Sequence, residues 1–401
     1  MRVEEVPPAS WSGALAADWD RLLQESADAT IFQSPAWVEA WWRHFGTGRR
    51  ARLMTVRDER GDLRGLGPLY DRPLHFLGLP GPRVLGLLGD EGVGSEYLGI
   101  LVRRGEEQAV LRALGDSLMG AWSLADLRGL REDSAVARAL PQALAAGGRC
   151  QTDEERHPCS MIPLPSDYEA YLASLPTKFR TTVRYRTNKL TKNYEVRMFR
   201  TQEPGEIEPH LDRLFAMHQR RWEAEGHPGS FRGLTKRAFY ADVSREFIRR
   251  GWLRFYHLEV DGAIRASQFG FAFRGVLHSL QEAFDHDFHP PGVGGVGVVL
   301  RGMVLRECIA EGLRGYDFLG GEEEFKTRWG TQTLYVRSVR IGAPGISGAA
   351  AFALTAGVRR LKAWMKARSP DWLLERRETW RSWRRSRRGR RAAQRAEGVR
   401  E

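Results

Sequence analysis

Residues 289–300 read HPPGVGGVGVVL, and this stretch decides how the rest of the 401-residue chain is understood. Gly292, Gly294, Gly295 and Gly297 precede an apolar run that continues in helical pattern to about residue 311. Before the loop, residues 253–260, 264–273 and 276–284 read as three strands, with Asp261-Gly262 and Arg274-Gly275 as turn signals. After the helix come a short apolar strand at 315–319 and an alternating one at 333–341. The order is strand, glycine loop, helix, strand. Glycines and free N–H groups at a helix start make an anion site, although the same glycines would serve a flexible connection. No Gly-Lys-Ser/Thr closes the loop, which excludes a Walker loop. Its position after an antiparallel meander argues against a dinucleotide fold.

Toward the N-terminus, a helix over 208–225 places Leu211, Leu214, Phe215, His218 and Trp222 on one face. His218 on that apolar stripe reads as a core histidine. The helix over 178–192 (KFRTTVRYRTNKLTK) carries Phe179, Val183 and Leu190 on one side, with six basic residues and no acidic one. Arg180 and Arg184, four apart, repel unless an anion lies between them, so they are either anion ligands or a solvated flank. A capping box at Ser166-Asp167-Tyr168-Glu169 opens a short helix after a break at 150–165, where His157-Pro158, Pro163 and Pro165 interrupt any pattern. The section before that break has its own helices and strands. Ser34 and Pro35 start a helix with Trp37, Trp41 and Phe45 on one stripe, and residues 52–56 and 63–70 form a hairpin around Arg60-Gly61-Asp62. Further strands are expected at 85–88 and 97–102, and helices at 107–119 and 135–146.

The predicted class is therefore α/β (α+β), in three parts: 1–155, 156–345 and a basic tail over 346–401. Both main sections share one mixed style and read as two copies of one fold. The formal charge is +12, and residues 357–401 hold 16 Lys and Arg against 5 Asp and Glu, so the body is nearly neutral. Ser369-Pro370-Asp371 starts a helix with Trp372, Trp380 and Trp383 on one side and arginines over the remainder. Such a helix, within 359–391, suits an anionic membrane surface or tRNA phosphate, or is simply an arginine-rich tail. Three cysteines are too few for a disulfide framework or a zinc ribbon, and no ligand spacing suggests a metal. The acidic start MRVEEVPP lacks the apolar core of a signal peptide, and the uncharged run at 341–358 is Gly- and Ala-rich with Pro344 inside it. A cytoplasmic protein is expected, peripheral to a membrane at most.

Five segments carry a resemblance, in order: Phe32 to Trp37, residues 178–190, His218 to Trp222 (HQRRW), the loop from Gly292 to Gly297, and residues 316–329 (YDFLGGEEEFKTRW). Together they resemble the GNAT acetyltransferases of the cellulose and polysaccharide-biosynthesis branch, related to the FemAB aminoacyl-transferases. The resemblance implies tandem GNAT-like folds with mixed sheets flanked by helices, and an acyltransferase whose second unit binds acetyl-CoA or another acyl-CoA. The family loop pattern is Arg/Gln-x-x-Gly-x-Gly/Ala; here His289 takes the first place. The implied reaction moves an acyl group from a thioester to an amine or hydroxyl of a small or glycan-linked acceptor. The loop glycines with Val298 and Val299 would hold phosphates, and backbone N–H groups of the strand at 276–284 would polarise the carbonyl. Glu282 is a candidate general base or a solvated carboxylate; Asp317 orients substrate or caps its neighbours. Lys326 stabilises an oxyanion, holds a phosphate, or is an exposed lysine. Arg221 and Trp222, with Trp329, are candidates for the acceptor. An aminoacyl-tRNA donor, and a non-catalytic membrane-associated role in a polysaccharide assembly, are the competing readings.

Overall fold

The computed structural model describes residues 1–368 apart from 77–78, 146–150, 225, 227–228 and 322. Of the tail expected over 359–391, residues 369–391 lie outside the described residues, and with them the Ser369 cap and Trp372, Trp380 and Trp383.

Two runs of elements follow the same plan. The first is β1 (Arg2–Val6), α1 (Ala14–Glu25), α2 (Pro35–Phe45), the meander β2 (Arg50–Arg57), β3 (Leu63–Phe76) and β4 (Leu79–Leu87), the short β5 (Leu101–Val102), α3 (Glu107–Leu118), β6 (Leu124–Arg131), α4 (Ala135–Ala145) and β7 (Gln151–Pro163). Helices α5 (Tyr168–Ser174) and α6 (Thr177–Asn193) then lead into the second. It repeats the order: β8 (Val196–Arg200), α7 (Ile207–Ala224), α8 (Leu234–Arg249), the meander β9 (Leu253–Val260), β10 (Ala263–Phe273) and β11 (Val276–Phe284), then α9 (Gly297–Ala310), β12 (Gly315–Gly320), α10 (Glu324–Thr327) and β13 (Gln332–Gly342). A terminal helix, α11 (Ile346–Arg368), absorbs the uncharged run and packs on β13, β4 and β6. No helix among the described residues is long and apolar enough to cross a membrane.

All the strands join one sheet, in the order β1-β2-β3-β4-β6-β13-β7-β12-β11-β10-β9-β8, with β5 on the flank of β3. The order is a palindrome of the two runs, with one exchange: β7 pairs with β12, and β13 pairs with β6. The exchanged strands also pair with each other, from Gln332↔Met161 to Gly342↔Gln151. The boundary expected near residue 155 thus falls inside β7.

The break expected at 150–165 is a 13-residue strand instead. Pro158, which has no N–H to give, pairs only with Tyr335 of β13, because β12 has already ended at Gly320↔Cys159. The cap of α5 is Asp167, whose carboxylate accepts from the Ala170 N–H at 2.7 Å, rather than Ser166. The strand expected over 97–102 shrinks to Leu101–Val102, since Tyr97 sits at φ 55° and Leu98 bridges to Leu130.

Residues along α2 and α8 explain why the two runs stay together. Trp37 is fully buried and meets Phe239 edge-on at 5.0 Å and Phe271 at 5.7 Å, so the aromatic stripe of the first run packs on α8 and β10 of the second. A second core lies under α5, α6 and α9, around Val183, Leu190, Leu300, Tyr316 and Trp329.

Candidate functional site

Each run contains one parallel strand pair, and each pair parts after a few residues. In the second run β11 and β12 match over Val276↔Gly315, Leu277↔Tyr316 and His278↔Asp317, then separate. Two local features widen the gap. In β11 the partner register jumps from Phe269↔Gln281 to Gly270↔Ser279, so Leu280 is an extra residue and the strand bends. In β12 Leu319 adopts φ 59°, held by the Asp317 carboxylate, which accepts the Leu319 N–H at 2.7 Å. Beyond the divergence lies a cleft of about 740 Å³. In the first run β4 and β6 also part after two pairs, but there the chain plugs the gap itself: the Leu98 N–H donates to Gly129 O at 2.8 Å.

The glycine loop forms one rim of the cleft. Gly292 and Gly294 lie at φ 72° and 67°, a backbone that L side chains rarely adopt. A side chain begun at Gly294 would come within 3.1 Å of Arg186 Nη2, and one at Gly292 within 3.3 Å of the Lys189 side chain. Helix α6 therefore lays two half-buried cations along the loop, and neither forms an ion pair among the described residues. Gly297 opens α9 against Phe284, whose ring would stand 2.6 Å from any Cβ placed there. Among the described residues no side chain caps α9, which leaves its first N–H groups open beside the loop.

The cleft wall is polar in one place. Arg301, 5% exposed, grips the Glu282 carboxylate side-on through Nε (3.2 Å) and Nη2. The Tyr316 hydroxyl bridges Gln268 Oε1 at 2.9 Å and Glu282 Oε1 at 3.4 Å. Phe318, Phe325 and Trp329 box the guanidinium, their centroids 5.2, 4.9 and 5.4 Å from its carbon. Burial works most strongly against the Arg301 charge, but Glu282 and Tyr316 together offset it and the guanidinium pKa is raised. Glu282 lines the cleft as half of this pair, not as an isolated base.

The other expected residues divide. Gly295, Gly297, Val298, Arg221, Trp222, Lys326 and Trp329 line the same cleft as Glu282. Val299 is wholly buried in the second core. Lys326 is 5% exposed rather than solvated; its ammonium donates to Gly320 O at 2.8 Å and pairs with Glu323 at 2.8 Å, which ties α10 to the end of β12. Asp317 faces away from the cleft, 1% exposed, 3.3 Å from His278 Nδ1, and shapes the site only through Leu319. Arg180 and Arg184 are turned to α5: one donates to Ala173 O at 3.0 Å, the other pairs with Glu169. His218 is buried as expected, but it also lines the cleft and accepts from the Trp222 indole N–H at 2.9 Å. Burial, then Lys236 and Arg221, push its pKa down to about 4.

Arg301 and Arg186 went unread in the sequence, and both carried a signal. Arg301 is the lone charge in the run from Gly297 to Leu305, GVVLRGMVL, which requires a buried partner. Arg186 occupies the i+7 place in the stripe of Phe179, Val183 and Leu190, where an apolar residue belongs. Cys159 and Cys308 are buried free thiols. Among the described residues, no group of three or more His, Cys, Asp or Glu is placed to hold a metal.

Residues 177–327, the stretch that builds this cleft, match the family model of an acetyltransferase (GNAT) domain. No curated protein sequence matches the chain. Among solved structures, FemX superposes with a TM-score of 0.59 at 12% identity, over 84% of this chain and 97% of that one. A conserved protein of unknown function from Bacteroides thetaiotaomicron VPI-5482 gives a TM-score of 0.53 at 17% identity, over 82% and 97%. At such identities the likeness concerns the fold, and it extends across both runs. The chain has a mixed α/β, tandem GNAT-like fold, and the family match lies within its second run.

Proposed function

We propose that the protein transfers an acyl group from an acyl-CoA to an amine or hydroxyl of a small or glycan-linked acceptor. Acetyl is the simplest such group, and the setting is polysaccharide or cell-envelope synthesis at the cytoplasmic side of the membrane. The unit over 156–345 carries the reaction, the unit over 1–155 supports it, and the tail over 346–401 contacts an anionic surface.

One observation carries this reading: β11 and β12 part beside a glycine loop and the open N-terminus of α9, so a phosphate-bearing tail and a thioester fit end to end. Phosphates would lie against the loop amides and the Arg186 and Lys189 cations. The thioester would run along β11 into the gap, where Leu280 breaks the ladder. The acceptor would enter from the side of Arg221 and Trp222. Attack by its nitrogen or oxygen on the carbonyl carbon forms a tetrahedral intermediate. Collapse breaks the C–S bond, and the proton lost by the nucleophile leaves with the thiol.

Calorimetric titration with CoA and acetyl-CoA tests this, using the natural protein and Gly294→Asp. Saturable binding by the former, lost at least tenfold in the variant, is the expected result, because a carboxylate would occupy the phosphate position beside Arg186. Absence of binding at millimolar ligand would overturn the acyl-CoA assignment and leave an aminoacyl-tRNA or carrier-protein donor to be tried.

A further inference from the structure

Arg301 stands out in the cleft because its charge is neutralised through one edge of its fork, which leaves Nη1 clear of the carboxylate. Nε and Nη2 are both committed to Glu282. The Tyr316 hydroxyl is the other polar group that interacts with the guanidinium. The side chain lines the cleft while only 5% exposed, and its aromatic box fixes the plane of the fork. A guanidinium has five N–H donors, more than the Glu282 carboxylate and the Tyr316 hydroxyl take up, so a donor remains for a ligand in the cleft. Arg301 is the fifth residue of α9 and lines the same cleft as Gly295, Gly297 and Val298 at the start of that helix.

We propose that Arg301 is a catalytic residue whose Nη1 receives the negative charge that forms on the acyl carbonyl oxygen. This rests on the acyltransferase reading. As the acceptor attacks the carbonyl carbon, the C=O π pair moves onto oxygen, and the Nη1 hydrogens meet it. When the C–S bond breaks, that pair returns to re-form C=O, the thiolate departs, and the acceptor's proton passes to it. Arg301 neither gains nor loses a proton. Glu282 then acts as the positioning residue: it holds the fork and keeps an oxyanion, rather than a second carboxylate, as the partner of the free edge. The buried site makes such a donor far stronger than it would be in water, and no reorganisation is needed at the moment of reaction.

The test compares affinity for CoA with affinity for S-carboxymethyl-CoA, a thioether whose carboxylate stands near the position of the reacting oxygen. The natural protein should prefer the carboxymethyl compound by roughly tenfold or more, the range of a charge-assisted hydrogen bond. Arg301→Lys keeps a cation for Glu282 but has no second edge. The pair Arg301→Met with Glu282→Gln removes both charges together and avoids a stranded carboxylate. Each variant should bind CoA within about threefold of the natural protein and lose the preference; with acetyl-CoA as donor, kcat should fall by about 10² to 10³ while KM holds. A preference that survives in either variant overturns the assignment, and so does a natural protein that binds both ligands equally. A natural protein that binds neither ends the acyl-CoA reading as well.

Discussion

At the scale of single residues, the site depends on positions where size matters more than chemistry. Gly297 is one, since a Cβ there would meet the Phe284 ring at 2.6 Å and push α9 away from β11. Gly297→Ala should lower stability by about 1–3 kcal/mol despite the better helix former, and Phe284→Leu in the same chain should recover part of it; thermal melting of the natural protein and the two variants decides. Arg301 could be recognised as buried and paired from sequence, because no other charge interrupts its run. Its partner could not, since Glu282 comes from a strand nineteen residues earlier whose face depends on the bulge at Leu280. Asp317 shows the complementary limit. Its strand was legible, but Tyr316 and Phe318 hold one face and Asp317 the other, and only the neighbouring strands say which face is the cleft.

At the scale of elements, α6 separates two kinds of basic residue. Arg180 and Arg184 lie on the flank facing α5, whereas Arg186 and Lys189 face the glycine loop. Reversing one charge on each side should separate them. Arg186→Glu should weaken CoA binding roughly tenfold, which corresponds to a charge reversal of about 1–2 kcal/mol near a phosphate, and Arg184→Glu should leave it within twofold. Equal losses would place the phosphates elsewhere. The strands of the second meander were legible to within a residue, because Asp261-Gly262 and Arg274-Gly275, each with φ near 49° at its first position, mark the two turns between them. Strand β7 was not, because Pro158 reads as a breaker unless it is known that one of its flanking strands stops short. Pairing between distant strands sets that, and no local pattern reports it.

At the scale of the whole molecule, burial lowers the pKa of three histidines, and this contributes to how the protein responds to acid. His218 is pushed down to about 4, His257 to about 2, and His210 below its ordinary value, burial being the largest cause in each. His210 Nδ1 and His257 Nε2 share the Thr201 hydroxyl, at 2.8 and 3.0 Å, in the core of the second run. A histidine whose folded pKa is depressed contributes its full stability above about pH 6.5, where both states are neutral. It loses that stability as pH falls toward the folded pKa, because the unfolded chain takes up the proton first. His218 and His257 should each contribute a slope of up to about 1.4 kcal/mol per pH unit between pH 6 and 4.5. Chemical denaturation across that range should show stability falling with acid, and His218→Leu should flatten the fall by the share of one proton. A profile unchanged by the substitution would mean that His218 titrates in the open.

The exchange of β7 and β13 also governs how the chain can be made. Synthesis runs from the N-terminus, so β6 and β7 leave the ribosome about two hundred residues before β13, the strand that lies between them, exists. Until residues 332–342 emerge, the growing chain carries two bare strand edges, which invite pairing with any other unfinished copy. Completion of the last strand closes both edges in one event. The unit whose strand gap is plugged therefore waits, unfinished, on the unit whose gap is open, and a message truncated before residue 332 would yield aggregate rather than half a protein.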